Sequence, residues 1–156
     1  MQFTRPQEDL RRVLRQSIGE TLVGSTPRWW GLTTVLVDFV AEMLSAPGFR
    51  IVYVGRNKCD GRDFVDAVRD RLRDMVPGIE FRRLTREHIA VTNGSTLKIG
   101  INRGTSVSVL IADGPVSGEA IHWIASIARV IGTTIIFNCK EFEEMATKTY
   151  KITLGS

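Results

Sequence analysis

Three stretches of this chain, residues 50–55, 107–112 and 133–137, are apolar almost without interruption. A strand with one wet face alternates polar and apolar side chains. A short strand that does not alternate is buried on both faces, which means a largely parallel sheet between two layers of helix. Segments with helical spacing separate these strands, as βαβ crossovers require. Residues 4–18 place Leu10, Val13, Leu14 and Ile18 on one face and stop at Gly19. Residues 33–45 are apolar nearly all round. Residues 61–75 line up Phe64, Val65, Val68, Leu72 and Met75, and 117–130 line up Ile121, Ile124, Ile127 and Ile131. Residues 20–24 read as a first strand. Residues 79–84, 88–92 and 96–101 read as short strands, with Asn93-Gly94 as a hairpin turn between the last two. The tail, 141–156, is mixed, with weak alternation at Tyr150, Ile152 and Leu154.

A chain of 156 residues suits one domain with its own core. Cys59 and Cys139 are too few for a disulfide framework and read as free thiols. No apolar run approaches the ~18–20 residues of a membrane span, and the first residues lack a signal-peptide core. The net charge is +4, with 16 Arg among 21 basic residues, and the surplus sits between Arg50 and Arg86. Such an excess is compatible with a polyanion partner and equally with a solvated, salt-bridged helix face.

In parallel sheets ligands bind at the carboxyl ends of the strands. Three such ends carry unusual residues: the loop after Gly24, Asp113 and Asn138. The loop 25–31 runs straight into a helix, the layout that aims backbone amides at an anion. Against G-x-x-x-x-G-K-[ST], Gly31 and Thr33 fit, but Thr26 stands at the first Gly and Leu32 at the Lys. An apolar strand ending in Asp113 suits a carboxylate for Mg²⁺-bound nucleotide, and is also ordinary turn chemistry. The position after it is Gly114, and the nearest acid is Glu119.

Taken in order, these segments resemble the ATPase domain of the viral large terminase, the DNA-packaging motor, within the helicase-like P-loop NTPases. Arg5-Pro6-Gln7 resembles the adenine-recognising glutamine motif, and residues 28–34 resemble the terminase phosphate loop. Thr92-Asn93-Gly94-Ser95-Thr96 resembles the hairpin inserted before the acidic strand. Asn102-Arg103-Gly104 followed by 107–113 resembles the element leading into that strand. Residues 133–138 resemble the strand whose end couples hydrolysis to movement.

The resemblance implies a three-layer αβα, RecA/ASCE-like P-loop NTPase with a mainly parallel sheet and an inserted β-hairpin. It implies a single domain, with an N-terminal helix bearing the adenine motif (1–19), a core (20–140) and a tail (141–156). It also implies ATP and Mg²⁺ as ligands, or neither if the site is dead. Gln7, Arg28, Gly31, Thr33, Thr34, Asp113 and Asn138 would hold the nucleotide, and Thr33 and Asp113 the Mg²⁺. Asp113, Glu119 and Arg28 would be catalytic, and Arg82, Arg83 and Arg86 would face nucleic acid. The implied partners are double-stranded DNA, other packaging-motor subunits and further copies of the chain, without a membrane, inside an infected cell. The family's phosphate-loop Lys and catalytic Glu are Leu32 and Gly114 here, so activity as an ATPase stays open. A non-catalytic protein- or nucleic-acid-binding module on the same fold is the alternative. Trp29-Trp30 read as packing or as a partner surface, and His88 and His122 as structural.

Overall fold

The computed structural model describes residues 2–27, 30–101 and 106–151. Helix α1 (Arg5–Gln16) leads into strand β1 (Thr21–Ser25), helix α2 (Leu32–Leu44), strand β2 (Arg50–Val54) and helix α3 (Lys58–Met75). Strands β3 (Phe81–Leu84), β4 (His88–Val91), β5 (Thr96–Ile99) and β6 (Val109–Asp113) follow. Helix α4 (Gly118–Ile127), β7 (Thr133–Phe137), a short 3-10 helix (Lys140–Met145) and β8 (Lys148–Lys151) complete the order. The strands form one sheet in the order β3-β4-β5-β2-β6-β7-β1-β8. All neighbours from β5 to β8 are parallel, and β3 and β4 extend the sheet antiparallel at one edge.

The period of two along each strand sorts the core into two layers. Leu22, Ile51, Tyr53, Val109, Ile111, Ile135 and Phe137 face α1, α2 and α3. Their neighbours Val23, Val52, Leu110, Ala112 and Ile136 face α4 and the 3-10 helix. This is the three-layer αβα arrangement that the unbroken apolar strands predict. The Asn93-Gly94 hairpin is present between β4 and β5. It is fastened to the C-terminus of α2, where Asn93 Nδ2 donates to Leu44 O at 2.9 Å and the buried Ser95 hydroxyl donates to Ala46 O.

The differences from sequence expectation lie where polar chemistry, not apolar periodicity, sets the element. Helix α3 begins at Lys58 rather than at residue 61, because Asn57 caps it by accepting from Asp60 N at 2.9 Å. Its first turn is charged and so carries no apolar signal. Helix α4 stops at Ile127, short of residue 130. The weakly alternating tail supplies β8, a polar edge strand paired with β1.

Ten of the thirteen residues of α2 are buried, because the helix is sandwiched between α1, α3 and the sheet. One of the ten is Asp38, at 1% exposure. Its Oδ2 accepts from Arg11 on α1 and its Oδ1 from Arg71 on α3, each at 2.9 Å. A carboxylate at that depth is tolerable only when paired and hydrogen-bonded. Two arginines from opposite sides satisfy it and pin three helices together.

Arg71→Ala should therefore lower stability by about 2–3 kcal/mol in urea unfolding. That is somewhat below the ~3–5 kcal/mol for a fully buried pair, because Arg11 remains. Arg15→Ala removes a pair to Glu42 between side chains 48% and 40% exposed and should cost less than about 1 kcal/mol. Equal losses would show that Asp38 does not act as the tie.

Candidate functional site

The first connection of the fold leaves β1 at Ser25 and enters α2 at Leu32. Gly31 is the N-cap, with φ +91°, and makes no side-chain cap bond. Helices α1, α3 and α4 are capped by Thr4, Asn57 and Ser117. The first turn of α2 also carries no acidic residue, so its N–H groups and positive dipole end are left for something else. Any side chain at 31 would be strained by the left-handed backbone, and its Cβ would meet Gln7 Nε2.

This helix end opens into a cleft of about 900 Å³ at the carboxyl ends of the strands. Thr26, Pro27, Trp30, Gly31, Leu32 and Thr33 form one wall. Asp113, Gly114, Pro115 and Asn138 form another, and Arg56, Asp60 and Asp63 lie across from them over the stacked rings of Tyr53 and Phe64. Strand β7 runs between β1 and β6, so the Asn138 that ends it reaches both sides. Asn138 takes φ +62°, donates its N–H to Gly24 O at 2.9 Å and accepts from Thr26 N at 3.0 Å through Oδ1. Burial pushes the Asp113 carboxyl up to about 6, while the Asn138 amide and Arg56 partly offset that rise.

Gly114, directly after Asp113, lies where the backbone is tightly packed. A Cβ at Gly114 would run into Cys139 Sγ and lie 2.8 Å from Asn138 O, so glutamate cannot stand there unless β7 and its loop move. Cys139 itself is a buried thiol, pushed up to about 11 by that burial. Leu32, in the lysine position, is 7% exposed and packs into the core shared by α1–α3.

The structure thus brings Gly31, Thr33, Asp113 and Asn138 to one cleft. Arg28 lies outside the described residues. Thr34 is exposed on the first turn of α2 but is not part of the cleft wall. Gln7 does not line the cleft. Its Oε1 accepts from Thr4 N at 2.9 Å as half of the α1 capping box, and its Nε2 donates to Trp30 O at 3.1 Å, so it ties α1 to the loop. Glu119 sits on α4 against a neighbouring hollow of about 530 Å³, and Arg82 and Arg83 lie on β3, away from the cleft. Arg86 is bound to Asp66 at 3.1 Å and to Asp63 at 3.5 Å.

Sequence reasoning missed Arg56 and Asp60, which pair at 2.8 Å inside the cleft. Their position at the carboxyl end of β2 was the available signal. Trp30 packs against the α1–α3 core. Among the described residues no helix is long and apolar enough to cross a membrane.

No family model matches the chain, and no curated protein matches it. Solved structures do. The large terminase of bacteriophage HK97 superposes with TM-score 0.65 at 13% identity, over 88% of this chain and 33% of that one. The large terminase of a thermophilic bacteriophage, in complex with ATP-gamma-S, superposes with TM-score 0.70 at 11% identity, over 97% and 44%. The ATPase domain of a Thermus phage large terminase gives TM-score 0.62 at 13% identity, over 81% and 62%. The chain thus spans a third to three-fifths of the length of these structures. Its fold is that of the ATPase domain of phage large terminases, a mixed α/β P-loop NTPase architecture.

Proposed function

We propose that this chain is a single nucleotide-binding motor domain of the DNA-packaging type, with the described part of its tail completing the sheet, and that its hydrolytic machinery is weakened. The observation that carries the proposal is the shared cleft: the uncapped N-terminus of α2 and the Asp113 carboxylate face the same space across the end of β7. Amides at a helix N-terminus suit phosphate oxygens. The Thr33 hydroxyl and the Asp113 carboxylate are hard oxygen donors, the set that Mg²⁺ prefers, and both border the cleft. When bound, Mg²⁺ would neutralise phosphate charge there. Thr34, on the first turn of α2, would add a hydroxyl beside that helix end, and Arg28 would add a cation. Gln7 positions the loop through Trp30 and keeps one N–H and one lone pair for an adenine edge.

Weakened turnover follows from two replacements. Leu32 supplies no charge to the phosphates, and Gly114 supplies no group to orient water. Removing one transition-state donor costs roughly 10²–10³ in rate. Arg56 is the one cation among the described residues of the cleft, and it is paired with Asp60 at 2.8 Å. Glu119 lines the neighbouring hollow, which shares Tyr53 and Arg56 with the cleft, and would be the candidate base. In this setting the partners are DNA, other packaging-motor subunits and further copies of the chain.

ATP with Mg²⁺ should raise the melting temperature of the full chain, because ligand binding to the folded state adds stability. Asp113→Ala should abolish that rise. Steady-state hydrolysis should stay at or near background, and absence of any shift would sink the nucleotide-binding reading.

The raised carboxyl of Asp113 also fixes two opposite pH trends. The ordinary aspartate value lies near 3.9, so between about 4 and 6 the folded protein binds the extra proton. Without nucleotide, stability should therefore rise as pH falls through about 6. Mg²⁺–nucleotide affinity needs the carboxylate and should fall over the same interval, approaching about tenfold per pH unit. Calorimetric titration at several pH values checks both trends, and Asp113→Asn should flatten them.

A further inference from the structure

Strand β2 ends at Val54, which stands opposite Ala112 of β6. That register, carried one residue further, sets Gly55 beside Asp113, and Arg56 follows at the rim of the cleft. The backbone is pinned on both sides of Arg56. A Cβ at Gly55 would lie 3.2 Å from the Tyr53 ring and 3.3 Å from Asp60 Cβ, so the chain passes close against the first turn of α3. Asn57 then caps that helix by accepting from Asp60 N at 2.9 Å. The Arg56 side chain is not pinned in this way: it is 59% exposed, and its guanidinium pairs with Asp60 at 2.8 Å. A fixed backbone thus carries a charged head that is free to change partner.

The resting pair is easily exchanged. An ion pair between exposed neighbours four residues apart contributes little to stability. Asp60 can release Arg56 at small cost, because it stands in the first turn of α3, where the helix dipole favours a carboxylate. A phosphate offers the guanidinium a stronger partner, with oxygens that match its planar fork. The Arg56 charge already reaches the neighbouring strand end, where it offsets part of the rise that burial imposes on Asp113. Position 32 cannot supply a cation instead, since Leu32 is packed into the core of α1–α3.

We propose, resting on the nucleotide-binding reading of the cleft, that Arg56 is the residue by which it distinguishes a nucleoside triphosphate from a diphosphate, leaving Asp60 to bind the terminal phosphate. Position within the sheet supports this role. The loop into α2 follows β1 and Arg56 follows β2, and those strands lie three steps apart, about 14 Å, with β7 and β6 between them. The uncapped amides of α2 and the exchangeable cation therefore belong to opposite walls of the cleft. Of two phosphate chains anchored at α2, the longer extends further toward β2, past Asp113 at the end of β6. The shorter leaves Arg56 on Asp60. Discrimination then comes from a contact that only the longer chain makes, which is how a difference in affinity between two similar ligands arises.

The test is calorimetric titration of the full chain with ATP and with ADP, each with Mg²⁺. Arg56→Ala should weaken ATP binding by about tenfold or more, the loss of one charge-assisted hydrogen bond, and change ADP binding by less than about twofold. Its melting temperature without nucleotide should stay at the wild-type value, because the pair it breaks is exposed. Arg12→Ala, which breaks a similar exposed pair on α1, should alter neither affinity. Asp60→Asn should tighten ATP binding, and should do so by less when Arg56 is also alanine, since the double-mutant cycle reads the coupling of the two side chains. Equal loss of ATP and ADP affinity in Arg56→Ala, or loss of neither, would overturn the role of Arg56 and leave nucleotide binding standing. An Asp60→Asn gain of the same size in both backgrounds would overturn the exchange. Failure of the wild-type chain to bind either nucleotide would overturn the nucleotide reading and this role together.

Discussion

The arrangement around the cleft depends on the ionic tie at Asp38. Helix α2 presents an uncapped N-terminus to the cleft, and such a terminus is useful only if the helix cannot tilt. Apolar packing alone is tolerant of small rotations, because Leu, Val and Ile contacts carry no direction. Two guanidinium forks closing on one buried carboxylate do carry direction. Arg11 fixes α2 against α1, and Arg71 fixes it against α3. Gln7, one turn before Arg11 on α1, then holds the carbonyl of Trp30. The same helix pair thus positions both the start of α2 and the loop before it, a coupling built from polar groups inside an otherwise apolar layer.

Much of the fold was legible because the sheet is parallel. Buried strands such as 107–112 and 133–137 leave no polar residue to confuse the pattern, and the helices between them supply their own period. The elements that escaped were set by other forces. The first turn of α3 owes its existence to the Asn57 cap, and β8 to pairing of its polar backbone with β1. The cleft was partly legible too, since Asp113 and Asn138 stand at strand ends and Gly31 and Thr33 fit the phosphate-loop pattern. Arg56 and Asp60 were not singled out, because an arginine and an aspartate four residues apart read as a surface pair. Only the fold shows that this pair opens on the cleft.

Leu32 and Gly114 are both held by the packing around them. Leu32 belongs to the core beneath α1–α3, so its apolar character is used. Gly114 is required by the approach of β7's end, where Cys139 and the Asn138 carbonyl leave no room for a side chain. Lysine at 32 and glutamate at 114 would therefore demand repacking at both places.

The balance of charge around the cleft is acidic. Three carboxylates, Asp60, Asp63 and Asp113, and one guanidinium, Arg56, border the cleft among its described residues. The amides of α2 add only about half a positive charge. In the proposed reading, a triphosphate brought there alone would meet net repulsion, and its binding would be linked to a divalent cation near Asp113.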